Sequence, residues 1–133
     1  MGKFLHTMFG EKPVIIQYKN RTVIGMAEEV SVSNPKGNSA KVLAKIDTGA
    51  SISSIDFKLA SKLKLGPITS TAMIKSASGS GVRPIVRAKL TIEGKDFDTD
   101  FTLADRSNLK YKVLVGQNIL SQGFLIDPTK KVD

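Results

Sequence analysis

The chain has no cysteine, no tryptophan and a single histidine, His6, close to the N-terminus. The missing thiols exclude disulfides, thiol nucleophiles and thiolate metal sites together. One imidazole is too few for a zinc centre, which draws on several His or Cys ligands with carboxylates as a supplement. A Ser-His-Asp triad would have to rest on His6 alone. The inventory therefore predicts a protein that works without a metal or other cofactor. Aromatic residues make up 6%, leaving few platforms on which nucleic-acid bases stack. No apolar run approaches the ~20 residues of a membrane span. Residues 1–9 have neither a long apolar stretch nor a small-residue cleavage site, so no secretory signal is visible and a cytoplasmic location is the expectation.

What is present suits one soluble globular domain: 133 residues, 41% of them hydrophobic, enough for a single core. The formal net charge of +8 favours polyanionic partners such as nucleic acid or acidic protein segments. Its Lys and Arg residues are spread along the chain without a block of five or six. A solvated basic surface therefore accounts for the charge as well as a binding stripe does.

Short apolar segments separated by turn residues run the length of the chain. Residues 1–20 are expected to form an N-terminal arm or an extra strand, and residues 21–133 a single domain. Val14-Ile15-Ile16-Gln17-Tyr18, introduced by Pro13, is β-branched and aromatic and predicts a strand. Strands are also expected at Thr22-Val23-Ile24-Gly25-Met26, at Val30-Ser31-Val32-Ser33 and at Val42-Leu43-Ala44-Lys45-Ile46. A helix is expected after Asp56 as N-cap, with Phe57, Ala60 and Leu63 at helical spacing and Gly66-Pro67 supplying the C-terminal glycine and the stop. Strands resume at residues 72–75 and 85–92, and Glu93-Gly94 is a two-residue hairpin turn into residues 95–103. Val113-Leu114-Val115, a turn or two of helix closed by Gly123, and Phe124-Leu125-Ile126 complete an all-β pattern of barrel or sandwich type with one or two short helices.

Three motifs compete for attention. Asp96, Asp98 and Asp100 suggest a calcium loop, but Phe101 and Ser107 stand where an EF-hand needs its Gly and Glu. On a strand the three aspartates share one face, which reads as a solvated edge. Ser76-Ala77-Ser78-Gly79-Ser80-Gly81 lacks the Gly-Lys-Ser/Thr of a phosphate loop and reads instead as a mobile hairpin tip. The third motif is Asp47-Thr48-Gly49, delivered by an apolar strand. In isolation it is a turn, since such a triplet arises by chance in roughly one chain of this length in a few dozen.

Its context makes it informative. Ala44-Lys45-Ile46-Asp47-Thr48-Gly49-Ala50 is followed by the Gly-rich hairpin and then by Val113-Leu114-Val115-Gly116 before Asn118-Ile119-Leu120. In this order the chain resembles the retropepsin-like aspartic proteases. Ile24-Gly25, Glu29-Val30, Asp105-Arg106-Ser107-Asn108-Leu109-Lys110-Tyr111 and Phe124-Leu125-Ile126-Asp127-Pro128 make it similar to a particular prokaryotic family within them. That family is often labelled "ATP-dependent zinc protease" and includes RimB-type proteins associated with RimK-like glutamate ligases. The residues support neither the ATP nor the zinc of that label. Two positions depart from the pattern. Gln117 stands where a basic residue often follows the second glycine, and Ser51 where viral relatives carry the acid that pairs with it. The loop is therefore expected to be braced by neutral hydrogen bonds.

The resemblance implies a closed retropepsin-like (acid protease) barrel and a C2 homodimeric aspartic peptidase, because the chain carries only one Asp-Thr-Gly. Asp47, Thr48 and Gly49 would form the catalytic loop, with Thr48 bracing the two loops. Ala50, Ser51, Ser78, Gly79, Ser80, Gly81, Arg106 and Gly116 would surround a peptide or protein substrate. The substrate class implied is an acidic, glutamate-rich protein tail, favoured by Lys75, Arg83, Arg87, Arg106 or Lys110 near the cleft. Two rival readings stand beside it: a non-proteolytic peptide-binding barrel of the same fold, and, disfavoured by the aromatic content, a nucleic-acid-binding β-barrel.

Overall fold

Alternation of inward apolar and outward polar residues builds most of the strands. A computed structural model describes residues 14–76 and 79–132. In chain order the elements are β1 (Gln17–Tyr18), β2 (Arg21–Ile24), β3 (Ala27–Ser33), β4 (Ser39–Ile46), β5 (Ser53–Asp56), α1 (Phe57–Lys62), β6 (Ser70–Ser76), β7 (Gly79–Ile92), β8 (Lys95–Ala104), β9 (Val113–Val115), α2 (Gln117–Leu120) and β10 (Phe124–Ile126). Along β7, Val86, Ala88, Leu90 and Ile92 point inward and are essentially fully buried, while Arg87 and Lys89 between them face out, the period-two pattern of a half-buried strand.

The strands pair in the order β3-β4-β9-β5-β8-β7, and β7 returns to β3 through Ser31↔Thr91, Val32↔Leu90 and Ser33↔Lys89. The result is an all-β, closed six-stranded barrel, which leaves those strands no open edge. Phe101, Ile55, Leu90, Ile92, Val113 and Val115 fill its interior. The outer part of β7 leaves the barrel and pairs only with β6, from Thr71↔Pro84 to Ser76↔Gly79, so this hairpin projects from the barrel wall. A separate small sheet, β1-β2-β10, joins the two ends of the described chain through the parallel pairing of β2 with β10. Neither α1 nor α2 is long or apolar enough to cross a membrane.

Two local expectations change. The run from Val14 yields only the two-residue β1, with the Ile16 carbonyl accepting Val23 N–H at 2.7 Å. Val14, Ile15 and Ile16 remain about half exposed, because β-branched composition makes a strand only where a partner and a buried face are available. At the end of α1 two residues take positive φ, Lys64 (57°) in the turn that closes the helix and Gly66 (135°) two residues further on. Leu65 N–H closes the turn onto the Ala60 carbonyl at 3.0 Å, and the Asn34 side chain donates to the carbonyls of Leu63 (3.0 Å) and Lys64 (2.6 Å). A distant side chain thus satisfies the helix-end carbonyls that a C-terminal glycine usually helps to pair. Asp56 caps the start as expected, accepting Leu59 N–H.

The three aspartates of β8 lie along its outer face opposite cations of β7. Arg87 reaches Asp98 (3.7 Å) and Asp100 (3.4 Å), and Lys89 reaches Asp96 (3.2 Å). Exposed pairs of this kind are weak, and they make the three aspartates a solvated surface ladder.

A more buried network ties the C-terminal segment to the barrel. Lys130 Nζ lies 2.8 Å from Glu28 Oε2 and 3.7 Å from Glu93 Oε2, and Gly25 N–H donates to the same Glu28 oxygen at 2.7 Å. Burial raises the Glu93 carboxyl above its ordinary value; Lys130 opposes the shift and Glu28 adds to it. The folded protein therefore keeps a proton on Glu93 at pH values where the unfolded chain has released it, and stability falls as pH rises through that window. Glu93→Gln should remove this loss. In thermal unfolding from pH 4 to 8, the variant's Tm relative to wild type is expected to climb with pH and then level off; a difference independent of pH would refute the linkage.

Candidate active site

The site is built where two parallel strands end side by side. β4 pairs in register with β9 through Ile46↔Val115, so the residues that follow, Asp47 on one strand and Gly116 on the other, leave the sheet together. Asp47 N–H donates to the Val115 carbonyl at 2.9 Å. One side-chain oxygen of Asp47 (Oδ1) accepts Gly49 N–H at 2.9 Å; the other takes no hydrogen bond from any described residue. The half-buried carboxylate is thus held by its own turn and presented outward.

Gly116 is required by contact, not by a positive φ. A Cβ there would lie 2.7 Å from the Ala50 carbonyl oxygen and 3.0–3.1 Å from backbone atoms of Ile52, closer than side chains tolerate. Across this approach Gln117 N–H donates to the Ala50 carbonyl (2.7 Å), Asn118 N–H to the Ser51 carbonyl (3.2 Å), and Gln117 Nε2 to the Thr48 carbonyl (2.7 Å). The Asp47 loop is therefore braced by neutral hydrogen bonds, as Ser51 and Gln117 predict.

Asn118 was not singled out by sequence reasoning, yet it locks three elements together. Its carbonyl oxygen accepts Ser53 N–H (3.0 Å) and Ser53 Oγ (2.8 Å), and its amide donates to Thr99 Oγ1 (3.2 Å) and the Asp100 carbonyl (3.0 Å). Ser53 Oγ in turn accepts Gly116 N–H at 2.9 Å. An asparagine at the second position of a four-residue helix carries no local signal of such a role; only the fold brings Ser53 and Thr99 to it.

Above the loop lies a cavity of about 630 Å³ lined by Asp47, Gly49, Ala50 and Ser51, by Ile52, Ser54, Thr102 and Leu114 on the barrel, and by Met73, Ile74, Lys75 and Arg83 on the projecting hairpin. Arg106 completes its wall. Its Nε donates to the Tyr111 carbonyl at 2.9 Å, and the two terminal nitrogens have no hydrogen-bond partner among the described residues. Burial, with the nearby Arg83 charge, lowers the Arg106 guanidinium from its ordinary value, while Asp47 and Asp56 oppose the shift. A guanidinium stays charged through such a change.

The structure thus gathers Asp47, Gly49, Ala50, Ser51 and Arg106, with Lys75 and Arg83, around one space. Thr48 and Gly116 sit behind it as backbone support. Gly79, Ser80 and Gly81 lie on the projecting hairpin outside the lining, and Ser78 falls outside the described residues. Two cations expected near the cleft are elsewhere: Arg87 is held by the β8 aspartates, and Lys110 lies over the Tyr111 ring, 5.4 Å from its centre.

A closed barrel with a projecting hairpin, and an aspartate loop packed on a glycine after a parallel strand, define a retropepsin-like protein. Among solved structures the chain is similar to the EIAV protease complexed with the inhibitor HBY-793 (TM-score 0.59, 19% identity, 81% of this chain and 92% of that one). It is also similar to a protein of unknown function from Legionella pneumophila (TM-score 0.56, 17% identity, 83% of this chain and 95% of that one). At these identities the likeness is one of fold. No curated protein matches the sequence. The chain belongs to the RimB-like family, described as retropepsin-like aspartic endopeptidase RimB, whose profile matches residues 58–132. The matched stretch contains Arg106 and Gly116 and begins after the Asp47 loop.

The close approach at Gly116 makes a sharp contrast with the hairpin glycines. Gly116→Ala should lower stability by about 1–3 kcal/mol, the usual cost of overpacking. Gly81→Ala, with nothing within 4 Å of the added Cβ, should change it by no more than about 0.5 kcal/mol. Denaturant unfolding of both variants checks the pair; equal effects would remove the steric account of Gly116.

Proposed function

We propose that the protein is a homodimeric aspartic peptidase that cleaves acidic, glutamate-rich peptide segments. The observation that carries this reading is the Asp47 carboxylate, held by a braced turn and facing a cavity whose other charged lining residues are Lys75, Arg83 and Arg106. Aspartic proteolysis needs two carboxylates that share a proton. One copy of the chain supplies a single Asp-Thr-Gly, so the second carboxylate comes from a second copy related by a two-fold axis.

On this reading one Asp47 takes a proton from a water molecule as the water oxygen attacks the scissile carbonyl carbon. The other Asp47, protonated, donates a hydrogen bond to the carbonyl oxygen as charge develops there. The tetrahedral intermediate collapses when a carboxyl group passes a proton to the amide nitrogen, the C–N bond breaks, and the amine leaves. Thr48 braces the paired loops. The β6–β7 hairpin acts as a flap that covers the peptide and excludes water. Lys75 and Arg83 on the flap and Arg106 on the barrel wall attract carboxylate side chains flanking the scissile bond, and a guanidinium can hold a carboxylate through two parallel hydrogen bonds.

Asp47→Asn should reduce cleavage of a glutamate-tailed peptide, followed by mass spectrometry, by about 10³-fold or more, with the dimer retained; activity equal to wild type would end this mechanism. Light scattering at assay concentration should give twice the chain mass, and a strict monomer that still cleaves would contradict the shared dyad. Chelators should leave the rate unchanged.

A further inference from the structure

We propose that Lys112 is a positioning residue for substrate specificity, fixing the Asp56-anchored loop of residues 106–112 so that the Arg106 guanidinium stands in the cavity as a carboxylate receptor. This deepens the peptidase reading and rests on it for its kinetic test, but not for its binding test. Both ends of the loop are tied to one residue. Asp56 Oδ1 accepts Arg106 N–H at 2.8 Å, and Asp56 N–H donates to the Lys112 carbonyl at 2.8 Å. Asp56 is only 3% exposed, and its second oxygen caps α1 through Leu59 N–H. The loop origin is therefore anchored in a buried, fully engaged carboxylate.

The centre of the loop is filled by an ammonium. Lys112 Nζ donates to the carbonyls of Arg106 (3.0 Å), Ser107 (2.7 Å) and Leu109 (3.0 Å), so each of its three protons has one acceptor. Three converging carbonyls repel one another unless a compact cation sits between them, and the lysine ammonium is the side-chain cation of that shape. Leu109 N–H closes onto the Arg106 carbonyl at 3.0 Å. The remaining constraint falls on Arg106 itself, whose Nε is held by the Tyr111 carbonyl. With the loop set in this way, only the outer, two-nitrogen face of the guanidinium is left for a ligand. Lys112 does not line the cavity, so its effect on a substrate passes through Arg106.

The test compares full-length wild type with Lys112→Met, Lys112→Arg, Arg106→Gln and the Arg106→Gln/Lys112→Met double variant. Affinity for a fluorescein-labelled tetraglutamate peptide is measured in every case, and kcat and KM for a glutamate-rich and a neutral peptide. Lys112→Met is expected to weaken tetraglutamate binding and raise KM for the glutamate-rich peptide on the order of tenfold, with kcat and the neutral peptide unaffected, and Arg106→Gln should weaken tetraglutamate binding at least as much. The double variant should be no worse than Arg106→Gln alone. Lys112→Arg keeps the charge but not the compact three-donor shape, so it should behave like Lys112→Met; full rescue by it would mean that net charge alone matters and would overturn the proposal. Equal tetraglutamate affinity of Lys112→Met and wild type, parallel losses for both peptides, or an additive double variant would overturn it too. Absence of cleavage by wild type would sink the peptidase reading while leaving the binding comparison to decide this one.

Discussion

The close approach of Gly116 to residues 50–52 is the constraint on which the rest of the site depends. The first N–H groups of a helix have no partner within it. In α2 the leading donors, Gln117 and Asn118, are satisfied by the Ala50 and Ser51 carbonyls of the Asp47 loop. The helix start and the loop therefore stabilise each other through the same bonds, and a side chain at position 116 would separate them. The Gln117 side chain extends the brace to Thr48. Neutral hydrogen bonds contribute about 0.5–1.5 kcal/mol each, without the desolvation cost that a buried ion pair carries. Replacing an acid–base pair by Ser51 and Gln117 is thus a change in how the loop is held and not a loss of support.

Much of this was legible in the chain because the informative features are local and periodic. The alternation Val86, Ala88, Leu90, Ile92 announces its strand, Asp56 announces the helix it caps, and Glu93-Gly94 announces a hairpin in which both residues adopt positive φ (48° and 75°). The long-range order of Asp47-Thr48-Gly49, a Gly-rich hairpin and Val115-Gly116 carries the resemblance to retropepsin-like proteases, and it is that resemblance which implies the aspartate beside the glycine. What stayed hidden depends on partners distant in sequence. Asn34 reaches across 30 positions to the end of α1, where Lys64 takes a positive φ ahead of the Gly66 that sequence favours. Asn118 looks like any helix residue until Ser53 and Thr99 are folded against it. Val14-Ile15-Ile16 shows the converse: strong β propensity with too little sheet to join.

The charge follows the same logic. Composition gives a net charge of +8 without saying which cations are free to act. Arg87 and Lys89 are taken by the β8 aspartates, Lys130 by Glu28 and Glu93, and Lys112 by three backbone carbonyls. Lys75, Arg83 and Arg106 remain around the cavity that holds Asp47. The functional meaning of a basic chain lies in this partition and not in its total.

The three cavity cations stand on elements of unequal rigidity. Arg106 rises from a loop anchored to a buried carboxylate and packed around an ammonium, whereas Lys75 and Arg83 ride on a hairpin whose strands pair only with each other beyond the barrel wall. In the proposed peptidase an acidic segment meets the fixed cation first in the sense that matters energetically, since Arg106 loses little further conformational entropy on receiving a carboxylate. The hairpin cations then gain favourable charge contacts by closing over a segment already held. On that proposal the anchored loop and the projecting hairpin would share the recognition of one acidic segment, the rigid element selecting the carboxylate and the projecting one responding to it.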